Sequence, residues 1–306
     1  MIIIKDIVIL LVSIIVIGKG AVWLVDAAAR VAKHFGISEL VIGLTVVAFG
    51  TSAPEFGVTI LAAIRGMGDI SVGNIVGSNI FNLGFILGGT AIIHSLKTSR
   101  TIVFRDGFFL LFGGILLSVF LWDLTLSKIE GIVLFTLLVL YLLYLYFQKE
   151  TIETEEPTHA MYRWDPILLF VGIGLVIVGS HFLVESAVSI ARFMGVSDWV
   201  IGATIIAAGT SAPEFATSLT AAMKSRYGMS VGNLIGSDIF NLFGVLGVAG
   251  IMRNLSVGHD AQINLIILSF MIAVVLIFMR TGWVVSRKEG IILVMIGLLR
   301  WIYSFS

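Results

Sequence analysis

The heptapeptide GTSAPEF stands at Gly50–Phe56 and again, letter for letter, at Gly209–Phe215, each time inside a long apolar stretch. One offset relates the copies and their surroundings (214 − 55 = 159; 237 − 78 = 159; 195 − 36 = 159). From Gly20 to Ile92 the first copy aligns without a gap to Gly179 to Ile251, which marks an ancestral duplication. Any fold for this chain must therefore contain two equivalent halves. Each must also place an acidic residue, Glu55 or Glu214, within apolar surroundings.

Those surroundings are a membrane. Of 306 residues, 58% are hydrophobic and 12% charged, against roughly 25% charged in soluble domains. A span needs about 20 mostly apolar residues, and stretches at about 7–33, 38–63, 71–95, 102–122, 127–147, 164–194, 198–222, 230–252, 260–280 and 287–305 meet that length. None alternates apolar and polar at every second residue as a barrel strand would, so the expected fold is all-α: an integral membrane protein of ten transmembrane helices. The first apolar run continues past any signal-peptide core to Val25, so no cleaved leader is expected. Cysteine is absent, which excludes disulfides and thiolate metal sites.

The hydrophilic segment Gln148–Arg163 divides the chain into residues 1–147 and 164–306, five spans each. Five is odd, so the second half enters the membrane from the opposite face, giving two inverted-topology five-helix repeats. Their most similar parts cover about 38–95 and 198–252. Lys and Arg sort unevenly between alternate connections. Arg30, Lys33, Lys97, Arg100, Arg105, Lys149, Arg163, Lys224, Arg226, Arg280, Arg287 and Lys288 fall on one face; Lys5, Arg65, Lys128, Arg192, Arg253 and Arg300 fall on the other. The positive-inside rule makes the first face cytoplasmic, with the 148–163 loop inside and both termini outside a plasma membrane. Trp122, Trp164, Trp199, Trp283 and Trp301 fall near span ends, as an interfacial belt requires.

A carboxylate at the centre of a membrane helix costs roughly 2.5–3.5 kcal/mol on insertion scales, so Glu55 and Glu214 need a compensating partner. Within the motif, proline has no N–H and pushes its predecessor out of helical geometry, which frees backbone carbonyls. Expected oxygen ligands are the carboxylates of Glu55 and Glu214, hydroxyls of Thr51, Ser52, Thr210 and Ser211, and carbonyls near Ala48, Thr51, Ala207 and Thr210. The following spans add polar stripes at every fourth residue, Asn74, Ser78 and Asn82, repeated as Asn233, Ser237 and Asn241. Two carboxylates among hydroxyl and amide oxygens suit Ca²⁺ or several Na⁺, and suit Zn²⁺ or Cu²⁺ poorly. Small residues also let membrane helices approach closely, and Gly73, Gly77, Gly232 and Gly236 are expected to serve packing. Asp238 breaks the internal symmetry, its counterpart being Asn79. It lies about 100° from Ser237 around the helix, so it either edges into the site or faces a neighbouring helix. Lys19 and Asp26, seven apart on the first span, are expected to pair or to snorkel.

At GTSAPE, GNIVGSNIFN (Gly73–Asn82) and GNLIGSDIFN (Gly232–Asn241) the chain resembles the Ca²⁺/cation antiporter superfamily, particularly the prokaryotic sodium/calcium exchangers. The resemblance covers essentially the whole chain. It implies an alternating-access antiporter in which Ca²⁺ and Na⁺ are transported ions rather than cofactors. Glu55 and Glu214 would be shared by both ions, and Ser78 and Ser237 would serve Na⁺ with oxygens of Ala48, Thr51, Ala207 and Thr210. Asn82 and Asn241 would complete the centre, and the first and sixth spans would slide as a pair across the remainder. Potassium-dependent relatives carry aspartate where this chain has Asn241, which argues against K⁺ co-transport.

Other functions fit less well. Proton/Ca²⁺ exchange on the same fold is the alternative, because protons compete with cations for buried carboxylates. A channel predicts a continuous pore, whereas an inverted repeat points to alternating access. A membrane hydrolase would need a nucleophile with its base, or a metal held by His and Asp, and neither pattern is present, so no enzymatic activity is expected. The partners implied are the two cations and the lipid bilayer, with no nucleic acid and no protein partner.

Overall fold

A computed structural model describes residues 2–148, 160–196, 201, 205 and 207–303. Among these residues the chain is almost entirely helical: α1 (Ile2–Phe35), α2 (Glu39–Thr51), α3 (Ala53–Ile64), α4 (Gly68–Ile93), α5 (Ile102–Asp123), α6 (Lys128–Phe147) and α7 (Asp165–Phe193). It continues with α8 (Ala207–Thr210), α9 (Ala212–Met223), α10 (Tyr227–Met252), α11 (His259–Arg280) and α12 (Arg287–Tyr303). Seven of the described helices are individually long and apolar enough to cross a membrane, and the bent pair α2–α3 makes an eighth. The protein is thus a multi-pass membrane protein. The span expected at 198–222 begins outside the described residues and continues as α8 and α9. That expected at 287–305 is the shorter α12.

The helices begin and end where local chemistry dictates. Ser127 and Glu130 form a reciprocal cap at the start of α6, Ser127 Oγ accepting from the Glu130 N–H at 3.3 Å and the Glu130 carboxylate accepting from the Ser127 N–H at 2.7 Å. Ser286 and Glu289 repeat the device at α12 (286 − 127 = 159). Left-handed backbone recurs with the same offset at Gly36 and Gly195, Gly66 and Ser225, and Leu124 and Trp283. Two short antiparallel ladders join the halves crosswise. Leu96–Lys97 pairs with Val284–Val285, and Thr125–Leu126 pairs with Leu255–Ser256.

Burial grades from centre to periphery. Helix α10 is enclosed along nearly its whole length and α4 along most of it, whereas α1, α6 and α7 show one face to lipid. Helices α1 and α7 pack along each other through glycines. A Cβ on Gly172 would lie 2.8 Å from the Leu24 nitrogen and 2.9 Å from the Gly20 carbonyl. Helix α2 approaches α10 similarly, since a Cβ on Gly236 would meet the Leu44 carbonyl at 2.6 Å. The packing expected of Gly232 and Gly236 is therefore present. For Gly73 and Gly77 the expectation falls partly outside the described residues, because positions 199 and 203, the repeat counterparts of Leu40 and Leu44, lie there.

Ion pairs tie α1 and α2 to the elements around them. Arg30 donates twice to Asp165, at 2.9 and 2.7 Å, the bidentate geometry a guanidinium favours. Lys224 reaches Asp26 at 2.6 Å, and Arg226 pairs with Glu39. Of the two expectations for Lys19 and Asp26, pairing is not met: Asp26 pairs instead with Lys224, and Lys19 is exposed on α1.

Overpacking a tight helix contact costs about 1–3 kcal/mol. Gly172→Ala is therefore expected to lower the thermal unfolding temperature in detergent. Gly174→Ala on the same helix, with open space around it, should unfold at the wild-type temperature.

Candidate ion-binding site

Helix α2 turns by 51° into α3 at Ser52. Ser52 leaves helical geometry (φ −78°, ψ 6°) and Pro54 occupies the first turn of α3, where its missing N–H costs no hydrogen bond. Ser211 (φ −88°, ψ 10°) does the same between α8 and α9, with Pro213 following. Each break starts a new helix inside the protein, and Glu55 and Glu214 stand in those first turns. The partial positive charge of a helix N-terminus favours a carboxylate there.

Both glutamates are completely buried, and each is met by the serine of the opposite half. Ser52 Oγ donates to Glu214 Oε1 at 3.2 Å, and Ser211 Oγ donates to Glu55 Oε1 at 3.1 Å. Ser237 Oγ lies 3.4 Å from the same Glu214 oxygen and 3.5 Å from the Ala48 carbonyl. Thr51 Oγ1 lies 3.3 Å from the Ala48 carbonyl, 3.1 Å from Asn233 Oδ1 and 3.3 Å from Ser237 Oγ. The Ala48 carbonyl, expected to be freed, also accepts the Ser52 N–H at 3.0 Å. Ala207 opens α8 and Thr210 closes it. Ser78 is buried on α4 beside a cavity of about 90 Å³ that Gly73, Gly77 and Gly297 also line.

The polar stripes divide by role. Asn74 donates to Thr59 Oγ1 at 3.0 Å and to the Glu55 carbonyl at 3.4 Å, and Asn233 donates to Ser218 Oγ at 2.9 Å and to the Glu214 carbonyl at 3.5 Å. These two residues brace the helices that carry the acids. About two turns further on, Asn82 Nδ2 donates to Asp238 Oδ1 at 2.9 Å and Asn241 Nδ2 donates to Asn79 Oδ1 at 3.0 Å. Asn79, which the sequence marked only as the counterpart of Asp238, joins the centre by this bond. Its signal was available in the repeat, where 79 and 238 are equivalent.

What remains is an excess of oxygen. Among the described residues no donor reaches Glu55 Oε2, Glu214 Oε2, Asp238 Oδ2, Asn82 Oδ1, Asn241 Oδ1 or Thr210 Oγ1, all of them buried. Buried acceptors without donors are costly, and buried charges without partners more so. A cation is the partner such a set accepts, and an all-oxygen set suits a hard one. Among the described residues no three acidic or imidazole side chains gather into one metal-binding group, so any ion must rely on neutral oxygens as well.

Fold and site together define a multi-pass membrane protein with an oxygen-lined acidic centre built from two similar halves. The family model for sodium/calcium exchanger proteins matches residues 5–148 and 164–301, and the chain belongs to that family. It is 32% identical to the sodium/calcium exchanger MaX1 of Methanosarcina acetivorans, over 94% of this chain and 95% of that one. The sodium-calcium exchanger NCX_Mj, in a structure soaked without Na⁺ and Ca²⁺, superposes with a TM-score of 0.87 at 32% identity, covering 99% of this chain and all of that one. A second NCX_Mj structure, soaked with both ions, gives 0.85 over 97% of each chain.

A ligand present at 100 times its dissociation constant stabilises the folded state by about 2.7 kcal/mol. Ca²⁺ is thus expected to raise the thermal unfolding temperature of the wild type in detergent, and Glu55→Gln or Glu214→Gln should remove that rise.

Proposed function

We propose that this chain is a secondary antiporter exchanging Na⁺ for Ca²⁺ across the cell membrane. The observation that carries the reading is the pair of fully buried glutamates, each hydrogen-bonded by the other half's serine and each left with one oxygen that no donor reaches among the described residues. Membership of the sodium/calcium exchanger family, and the likeness to MaX1 and NCX_Mj, support Ca²⁺ and Na⁺ as the ions. The ligand set is read as Glu55, Glu214, Thr51, Thr210, Ser52, Ser211, Ser78, Ser237, Asn82 and Asn241, with the carbonyls of Ala48 and Ala207.

Electrostatics explains the coupling. Two ionised glutamates are neutralised by one Ca²⁺ or by more than one Na⁺, and adding the second kind of ion to a neutralised centre leaves excess positive charge in a low-dielectric site. Each ion therefore displaces the other. An ion-free centre carries uncompensated charge away from water, at a cost of several kcal/mol per group. Changing access with the centre unfilled is thereby opposed, so exchange is favoured over leak.

In this reading residues 1–147 and 164–306 form two inverted five-helix repeats, ten spans in all, with the 148–163 segment cytoplasmic and both termini outside. The hydrogen bonds, caps and left-handed residues recurring at one offset support the duplication. Access alternates as α1 and α7 slide together over the remaining helices. Their glycine-lined contact suits a pair that moves as one body, and the Lys224–Asp26 ion pair links that body to the segment after α9.

Proteoliposomes loaded with Na⁺ and diluted into Na⁺-free buffer are expected to accumulate radiolabelled Ca²⁺, and to stop when the Na⁺ gradient is collapsed. Uptake driven by a pH gradient and indifferent to Na⁺ would assign the coupling to protons instead.

A further inference from the structure

Contacts inside the α1–α7 pair obey the internal repeat. Arg30 of α1 binds Asp165 of α7 at one end of the pair. The equivalent residues meet at the other end, where Ser189 Oγ donates to Asp6 Oδ2 at 2.5 Å (30 + 159 = 189; 165 − 159 = 6). Between these ends the backbones approach in mirror fashion. A Cβ on Gly20 would meet the Gly172 carbonyl at 3.1 Å, and one on Gly179 would meet the Ser13 carbonyl at 3.4 Å. The pair is thus fastened at both ends and maps onto itself.

Contacts from the pair to the rest of the bundle break the repeat. A Cβ on Gly50 of α2 would meet Ile173 of α7, so its mirror on Gly209 of α8 should meet Ile14 of α1. It would meet Val184 of α7 instead, and Ile14 is exposed. Charges depart from symmetry in the same way. Lys224, just after α9, reaches Asp26 of α1 at 2.6 Å. The counterparts are Arg65, just after α3, and Glu185 of α7, the same two signs towards the opposite end of the pair (224 − 159 = 65; 26 + 159 = 185). Both are exposed, and among the described residues they do not pair; Glu185 has only His181, one turn earlier, at 3.9 Å. One ion pair made and its mirror unmade is what a symmetric body produces when it rests at one of two equivalent end positions.

We infer that Asp26–Lys224 and Glu185–Arg65 are alternating latches, each tying the α1–α7 pair to the bundle at one end, so that the second closes only when the first opens. The inference rests on the sliding of α1 and α7 in the antiport reading, and it names the residues that hold the two end positions. Asp26 and Lys224 keep 31% and 33% of their side-chain surface exposed, and ion pairs so near water are weak. Water takes the place of the bond as it breaks, so the body is held without being trapped. These four are positioning residues: they act on which face is open, not on the ions.

The chain has no cysteine, so thiol cross-linking in proteoliposomes reads the latches directly. Asp26→Cys with Lys224→Cys, and Arg65→Cys with Glu185→Cys, are each expected to link with a short cleavable bifunctional reagent. Each link should stop Ca²⁺ exchange, and cleaving the reagent should restore it. With all four cysteines in one chain, closing one link should lower the yield of the other about tenfold. Failure of residues 65 and 185 to link, or both links formed in one molecule, overturns the proposal. Charge variants give a second readout. Asp26→Asn is expected to lower the half-saturating Ca²⁺ concentration about threefold on the face nearest Asp26 and to raise it about threefold on the other, because the competent state on each face changes in population. Glu185→Gln should shift both in the opposite sense, and Asp26→Lys with Lys224→Asp should restore the wild-type values. A merely structural role would lower the unfolding temperature or the maximal rate and leave the ratio of the two half-saturations unchanged, which contradicts the inference. Cross-linking needs no ion gradient, so Na⁺-driven flux absent from the wild type would defeat the antiport reading and leave the latches to be judged by their links.

Discussion

Two carboxylates withdrawn from water are the constraint around which the molecule is arranged. Glu55 and Glu214 are both completely buried, and the protein answers with geometry. Each acid is placed in the first turn of a helix restarted by proline, and each receives a hydroxyl from the opposite half. That exchange of serines means neither half completes its own site. The crosswise ladders, Leu96–Lys97 with Val284–Val285 and Thr125–Leu126 with Leu255–Ser256, apply the same logic at the periphery.

Near-symmetry with local breaks gives the centre its character. Gly232 and Gly236 are filled by α2, through Leu40 and Leu44. Asp238 faces Asn82 across the helix pair while Asn79 faces Asn241. The repeat is therefore close but not complete at its centre.

Much of this was legible before any coordinates. Acids beside a helix break, inside apolar spans and at one constant offset, have few structural explanations, and Glu55, Glu214, Ser52 and Ser211 do meet. Residue type and spacing could not separate Asn74 and Asn233, which brace the acid-bearing helices, from Asn82 and Asn241, whose side-chain oxygens meet no donor among the described residues. Membership of a stripe fixes a helix face, but the crossing of the neighbouring helix decides what that face meets. Asp26 shows the same limit. Its partner Lys224 lies 198 residues away (224 − 26 = 198), whereas helix periodicity could offer only the nearby Lys19, which is exposed. The matching caps at Ser127–Glu130 and Ser286–Glu289 extend the repeat beyond the gapless alignment, through motifs too short to stand out among long apolar runs.

The claim beneath all of this is that a cation sits between the two buried glutamates and is held by oxygens from both halves. Diffraction from crystals grown with Ca²⁺, using its anomalous signal, measures that directly. The account predicts one peak within coordination distance, about 2.3–2.6 Å, of carboxylate oxygens from both Glu55 and Glu214. A peak bound by one glutamate alone, or a Ca²⁺-saturated crystal with both carboxylates turned from each other and no peak between them, would contradict it.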